Sequence, residues 1–289
     1  MTLQLSPIVA GVMNWGVWHK NLNAQEMITL INTLLAQNIT TFDHADIYGG
    51  YTTEAAFGSA FSDSNIDRES IQLISKCGIK LITDNRDYKI KHYDYSAEYI
   101  IWSAENSLRN LQTDYLDVFL LHRPSPLMQV DEVAKAIDQL KSRGQIRSFG
   151  VSNFNRSQTE LLQKSVAVDF NQIQFSATHI DAMLNGSLDF MLSNNIIPLA
   201  WNPLGSMFKE DTEQTRRLNK LISNLIIKYE VSLDIILLSW ILQHPSNIIP
   251  VIGTANIDRI SGLNKALEIK LDLEDWFAIW IESQGCDVP

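Results

Sequence analysis

The chain has 289 residues, 45% hydrophobic and 19% charged, and a formal net charge of −10. This composition is globular, with ample material for a large core. The acidic balance argues against nucleic acid and anionic membranes as general partners, while a local basic pocket that holds a phosphate stays open.

Residues 1–7 show no positive n-region and no long apolar run, so no signal peptide is expected there. No stretch reaches the ~20 apolar residues of a membrane span. A cytoplasmic protein is the expectation. Cys77 and Cys286 stand far apart without metal-ligand spacing, which reads as two free thiols in a reducing compartment.

Eight short β-rich runs then recur along the chain, at 8–13, 40–45, 71–78, 116–122, 146–152, 170–175, 196–201 and 248–252. Most are nearly continuous in apolar residues, as parallel strands covered by helices must be. Helical periodicity fills the intervals. Ala97, Ile100, Ile101, Ala104, Leu108 and Leu111 share one face; so do Val130, Val133, Ala134, Ile137 and Leu140, and again Leu218, Leu221, Ile222, Leu225 and Ile226. Asn155 or Ser157 is expected to cap the helix after the fifth run, because Ser157-x-x-Glu160 fits a capping box. A helical stretch at 233–243 precedes the last run, and another at 273–283 follows it. Long loops are expected at 80–96 and 205–214.

Eight β units, each followed by helix, predict an α/β fold of the (β/α)₈ type, a TIM barrel, as one domain over residues 1–289. No linker divides the chain. An open doubly wound sheet is the competitor. The segment after the first run, Gly11-Val12-Met13-Asn14-Trp15-Gly16, does not fit its G-x-G-x-x-G fingerprint.

Barrel chemistry sits at the C-terminal strand ends. There the chain places Asp43 near the end of the second run with Tyr48 just beyond it, Lys76 in the third, and His122 at the end of the fourth. An ammonium paired with a carboxylate favours tyrosinate, so it is expected to lower the tyrosine pKa from its ordinary ~10 and make a usable general acid. A histidine beside them can orient a carbonyl. Taken singly, each residue has a plainer reading: a strand-end cap for Asp43, a half-buried ring for Tyr48, a solvated Lys76, a His122 that satisfies a backbone group. Their joint order favours the shared one. The thiol of Cys77 beside Lys76 reads as either reactive or simply buried. No His-x-His pair or carboxylate cluster stands at the strand ends, so no metal is expected.

These motifs resemble the aldo-keto reductases. The resemblance rests on Asp43-His44-Ala45-Asp46-Ile47-Tyr48-Gly49, Ser75-Lys76-Cys77-Gly78, Leu121-His122-Arg123-Pro124, Gly150-Val151-Ser152-Asn153-Phe154 and Asn171-Gln172, in family order. Gly253-Thr254, Arg259 and the ending Gly285-Cys286-Asp287-Val288-Pro289 extend it, and the ending looks like a bacterial short-tailed oxidoreductase subgroup. The resemblance implies hydride transfer from NADPH to a small-molecule aldehyde or ketone. Asp43, Tyr48, Lys76 and His122 would be the catalytic set. Ser152, Asn153 and Gln172 would meet the nicotinamide amide, and Trp201 would stack on its ring. Pro203, Leu204 and Gly205 would bend around the pyrophosphate, with Gly11 and Met13 nearby. Gly253, Thr254 and Arg259 would hold the adenosine phosphate, where an arginine fork suits a 2′-phosphate.

The chain departs from the family at Val12, where a threonine is usual, at Trp201, often a tyrosine, and at Leu263, where an asparagine is common and here comes one later as Asn264. A cofactor-binding regulatory subunit with slow or no turnover is the alternative function. A monomer is plausible for the family.

Overall fold

The computed structural model describes residues 3–288. Met1, Thr2 and Pro289 lie outside the described residues, so the readings of the N-terminal segment and of the chain ending extend past what is described.

Among the described residues ten strands form, in chain order: β1 Val9–Gly11, β2 Thr41–Asp43, β3 Gln72–Cys77, β4 Ile79–Lys80, β5 His92–Tyr93, β6 Leu116–Leu121, β7 Ile146–Ser152, β8 Phe170–Gln174, β9 Ile197–Trp201 and β10 Ile249–Ile252. Eight of them close into a barrel in the order β1-β10-β9-β8-β7-β6-β3-β2. Every neighbouring pair in it is parallel, including the closing pair, where Val9 stands opposite Val251. The eight expected runs are the eight barrel strands, and the molecule is a single-domain (β/α)₈ barrel.

The strands are apolar along their length because both faces are covered. Val9, Ile74, Val118, Leu120, Phe170, Leu199 and Val251 fill the interior. Gly150 lets neighbouring strands meet there: a Cβ at that position would stand 2.5 Å from the carbonyl oxygen of Phe170. Outside the barrel, helices bury the stripes read from the sequence. Ile100, Ala104, Leu108 and Leu111 are buried on the helix Ala97–Leu111, which Ser96 caps by accepting from the Tyr99 amide. Val133, Ile137 and Leu140 are buried on Val130–Ser142, and Leu218, Ile222 and Leu225 on Glu213–Tyr229. The final helix, Leu273–Gln284, docks by a reciprocal pair: the Trp240 and Trp276 indoles stack and each donates its N–H to the other's carbonyl.

One local choice is decided and two local expectations are corrected. The helix Arg156–Gln163 is capped by Asn155 with Gln158 closing the box, not by Ser157 and Glu160. Ser157 instead donates to the Asn155 side chain, and Glu160 pairs with Arg156. The asparagine two residues earlier wins because its side-chain oxygen already reaches the Gln158 amide at 3.0 Å. Residues 80–96 are not plain loop, since β4 and β5 pair antiparallel and the Lys80 ammonium binds Asp94. Residues 205–214 end in helix, which begins at Glu213 behind a Thr212 cap.

Candidate active site

Two neighbouring strand tips converge on one side chain. Asp43 ends β2, Lys76 is the penultimate residue of β3, and Tyr48 sits in the turn that follows β2. Lys76 is 0% exposed. Its Nζ donates to Asp43 Oδ1 at 2.7 Å, to the His44 carbonyl at 2.6 Å and to the Tyr48 hydroxyl at 3.3 Å. Burying an ammonium is costly unless it is paired and hydrogen-bonded, and here all three of its protons have acceptors. Burial works against the charged form, but the Asp43 carboxylate and the Tyr48 oxygen outweigh it and the Lys76 pKa is raised.

Tyr48 departs from the sequence expectation. Burial of the phenol is the largest influence and raises its pKa; the Lys76 charge pulls the other way and does not prevail. The expected net lowering is therefore overturned. The hydroxyl is held protonated, and Lys76 moderates the rise.

His122 follows the last residue of β6, its amide bound to the Cys77 carbonyl at 2.9 Å. Its ring stands edge-on to that of Tyr48, with centroids 6.1 Å apart. Burial, then the charges of Lys76, Arg123 and Lys91, push its pKa well below the usual value, so it is a neutral imidazole. Cys77 lies fully buried in β3 with its thiol pKa pushed up by burial. That settles the choice left open for it in favour of an inert thiol.

A cleft of about 690 Å³ opens above these residues, within the size range of small-molecule sites. Of the sixteen residues singled out from the sequence, fifteen line it: Gly11, Met13, Asp43, Tyr48, His122, Ser152, Asn153, Gln172, Trp201, Pro203, Leu204, Gly205, Gly253, Thr254 and Arg259. Lys76 lies behind the wall, reaching the cleft through Tyr48 and Asp43.

The wall opposite Tyr48 is knitted together. The Trp201 indole donates to Asn153 Oδ1 at 2.9 Å, the Asn153 amide donates to Ser152 Oγ at 2.8 Å, and Ser152 Oγ donates to the Gln172 carbonyl at 3.1 Å. Gln172 Nε2 is buried with no protein partner, as is Asn171 Oδ1. A free amide N–H there fits a carboxamide oxygen, so this donor set matches a nicotinamide. Gly205 has φ +55, and a Cβ on it would meet Thr178 Oγ1 at 1.9 Å. Its turn thus requires glycine for its own packing, beyond any approach to a phosphate.

At the far end, Arg259 lies over the Phe208 ring at 5.3 Å and forms no ion pair among the described residues. Asn14 bridges the first and last strand ends by donating to the Gly253 carbonyl. Leu263 lines the cleft, while Asn264 turns away to Gln37. The offset asparagine is therefore not a cleft residue. Sequence reading also passed over Asn14, Trp18, Lys91, Arg123, Phe208 and Asp234, all on the cleft wall. Most stand in loops without periodicity. Arg123 had a signal, being adjacent to His122.

Among the described residues, no group of three or more His, Cys, Asp or Glu stands ready to hold a metal ion, and no helix is long and apolar enough to cross a membrane.

Residues 7–280 match the Aldo/keto reductase family. The chain belongs to that family. It is 41% identical to the uncharacterized oxidoreductase YcsN of Bacillus subtilis (strain 168), over 99% of this chain and 97% of that one. It is 36% identical to a 6-dehydroglucose reductase of Agrobacterium fabrum, again over 99% and 97%. Among solved structures, the thermostable aldo-keto reductase Tm1743 superposes with a TM-score of 0.81 at 25% identity, covering 98% of this chain and 97% of that one. This aldo-keto reductase is accordingly an oxidoreductase, of a family that acts on small-molecule carbonyl compounds.

Proposed function

We propose that the protein reduces an aldehyde or ketone to the alcohol, with NADPH as hydride donor and Tyr48 as proton donor. NADPH, when bound, supplies the hydride; the chain's residues position it and handle the proton. The observation that carries the reading is the Lys76 ammonium, bound at once to Asp43 Oδ1 and to the Tyr48 hydroxyl at the cleft wall.

The substrate carbonyl oxygen docks between Tyr48 and His122. The neutral His122 imidazole orients it by hydrogen bonding. As the carbonyl carbon gains hydride, negative charge grows on the oxygen. Tyr48 gives its proton to that oxygen, and the phenolate left behind is stabilised by the Lys76 ammonium. Asp43 keeps Lys76 charged and in place. A buried phenol with a raised pKa keeps its proton until the oxygen becomes basic, which guards against loss of the proton to water.

Ser152, Asn153 and Gln172 suit the nicotinamide amide, and Trp201 offers the flat face a ring stacks on. Arg259, without an ion-pair partner among the described residues, suits a 2′-phosphate, which favours NADPH over NADH. One relative's name, 6-dehydroglucose reductase, places sugar aldehydes among the first compounds to assay.

The test follows reduced-cofactor absorbance with a panel of aldehydes, ketones and quinones. Turnover with NADPH is expected. Tight NADPH binding with no turnover of any compound would reject the reductase reading and leave a regulatory one.

A further inference from the structure

The cleft carries cationic side chains at both ends. At the far end stands Arg259, suited to the cofactor. At the reacting end stand Lys91 and Arg123, which the reduction itself does not use. Both are close enough to the imidazole of His122 for their charges to act on it.

Arg123 is held in place. Its backbone is clamped by the Tyr95 hydroxyl, which donates to the Arg123 carbonyl and accepts from its amide at 3.2 Å. Tyr95 in turn packs over Gly78, where a Cβ would lie 1.9 Å from its ring. The half-buried guanidinium extends to 5.6 Å from the Trp201 ring centroid. Lys91 reaches the same mouth from the segment before β5.

Among the described residues, neither cation forms an ion pair. That is notable in a chain with 33 acidic and 23 basic residues. Of the acids on the cleft wall, Asp43 is occupied by Lys76, and Asp234 lines the opposite end with Phe208 and Arg259. Two unneutralised cations thus face the space beside the carbonyl-binding groups. A planar guanidinium matches a carboxylate or phosphate by paired hydrogen bonds, and an ammonium adds a point charge.

We infer that Lys91 and Arg123 form an oxyanion subsite, so that the preferred substrate is an aldehyde or ketone bearing a carboxylate or phosphate. This rests on the reductase reading above and names the substrate class for the same site. Arg123 is fixed by its backbone clamp and sets the position of the anion; Lys91, on the exposed segment, adds attraction and steering.

The experiment compares kcat/KM for 4-oxobutanoate with its methyl ester, and for glyceraldehyde 3-phosphate with glyceraldehyde. The first pair reads a carboxylate, the second a phosphate. A charge-assisted hydrogen bond contributes on the order of tenfold to a hundredfold in affinity. At least one anionic member is therefore expected to exceed its neutral partner by about tenfold or more. That ratio should collapse toward one in Arg123→Gln/Lys91→Gln and shrink as salt is raised. A ratio near one for both pairs in the unaltered enzyme overturns the inference while leaving the reductase reading intact.

A binding readout decides the matter even without turnover. Trp18 and Trp201 line the cleft, so tryptophan fluorescence reports its occupancy. Saturable quenching by 4-oxobutanoate or glyceraldehyde 3-phosphate, lost in the double variant, supports the subsite. No quenching by either, or equal quenching in both proteins, rejects it.

Discussion

The ammonium of Lys76 lies 2.7 Å from Asp43 Oδ1 and 3.3 Å from the Tyr48 hydroxyl, in a position closed to solvent. One buried charge thereby neutralises a carboxylate and faces a phenol whose oxygen opens onto the cleft. The same contact links fold stability to the proposed chemistry, because among the described residues neither Asp43 nor Tyr48 has another cation so near.

Replacement of Lys76 by Met removes that charge. Asp43, 3% exposed, is left as an uncompensated buried carboxylate, and a loss of about 3–5 kcal/mol in unfolding free energy is expected. The phenol loses the influence that moderates its raised pKa. Carbonyl reduction should fall by about 10²-fold or more, and the alkaline limb of the rate profile should move to higher pH. A pH–rate profile superposable on that of the unaltered enzyme would contradict this role for Lys76.

His44 is buried, edge-on to Phe57, and neither ring nitrogen has a protein partner. Burial, then the Lys76 charge, lower its pKa to about 3. Its folded pKa lies below its unfolded value of about 6.5, so unfolding takes up a proton. The stabilisation is complete above pH 6.5 and disappears as pH falls through about 3. Within that window the unaltered protein should lose about 1.4 kcal/mol per pH unit more than His44→Asn. Asp46 and Glu54, raised mainly by burial, act with the opposite sign in both proteins. Chemical denaturation at several pH values checks this; parallel pH dependences would refute it.

The barrel was legible because its strands are covered on both faces and its helices on one, which prints two distinct periodicities into the chain. The strand tips that line the cleft were legible because chemistry-bearing residues end or follow short apolar runs. What remained hidden depends on three-dimensional neighbours. The sequence shows Lys76 near Tyr48 in the fold, but not that burial outweighs the ammonium in setting the phenol's pKa. It offers two capping candidates within three residues, and only the backbone chooses Asn155. Trp18 and Lys91 reach the cleft from loops, where no spacing rule announces them.

Arg259 is exposed, stacked near Phe208, and without an ion-pair partner among the described residues. Arg259→Ala should weaken NADPH binding by about tenfold or more and NADH binding far less, since only the former carries the 2′-phosphate. Quenching titrations with both cofactors measure this. Equal losses for the two would place Arg259 elsewhere.

Asp117 is buried on β6 at the level where that strand begins. It accepts from Arg68 at 2.7 Å, from Arg147 at 3.1 Å and from the Leu73 amide at 2.9 Å. Asp117→Ala strips half-buried Arg68 of its carboxylate partner, while its bonds to Thr113 and to the Ile71 and Tyr115 carbonyls remain, and leaves the Leu73 amide unpaired. A loss of about 2–4 kcal/mol is expected, with KM for cofactor little altered because the site lies at the other end of the barrel. Denaturant melts check the first part and cofactor titration the second; an unchanged midpoint would refute the structural role.

The most direct measurement concerns Tyr48→Phe, which deletes one oxygen and keeps the ring. Single-turnover reduction of an accepted aldehyde should slow by about 10²–10⁴-fold, while NADPH affinity stays within about threefold because the proposed cofactor contacts lie on the opposite wall. A variant that binds NADPH normally and retains more than about a tenth of the rate would show that another group delivers the proton.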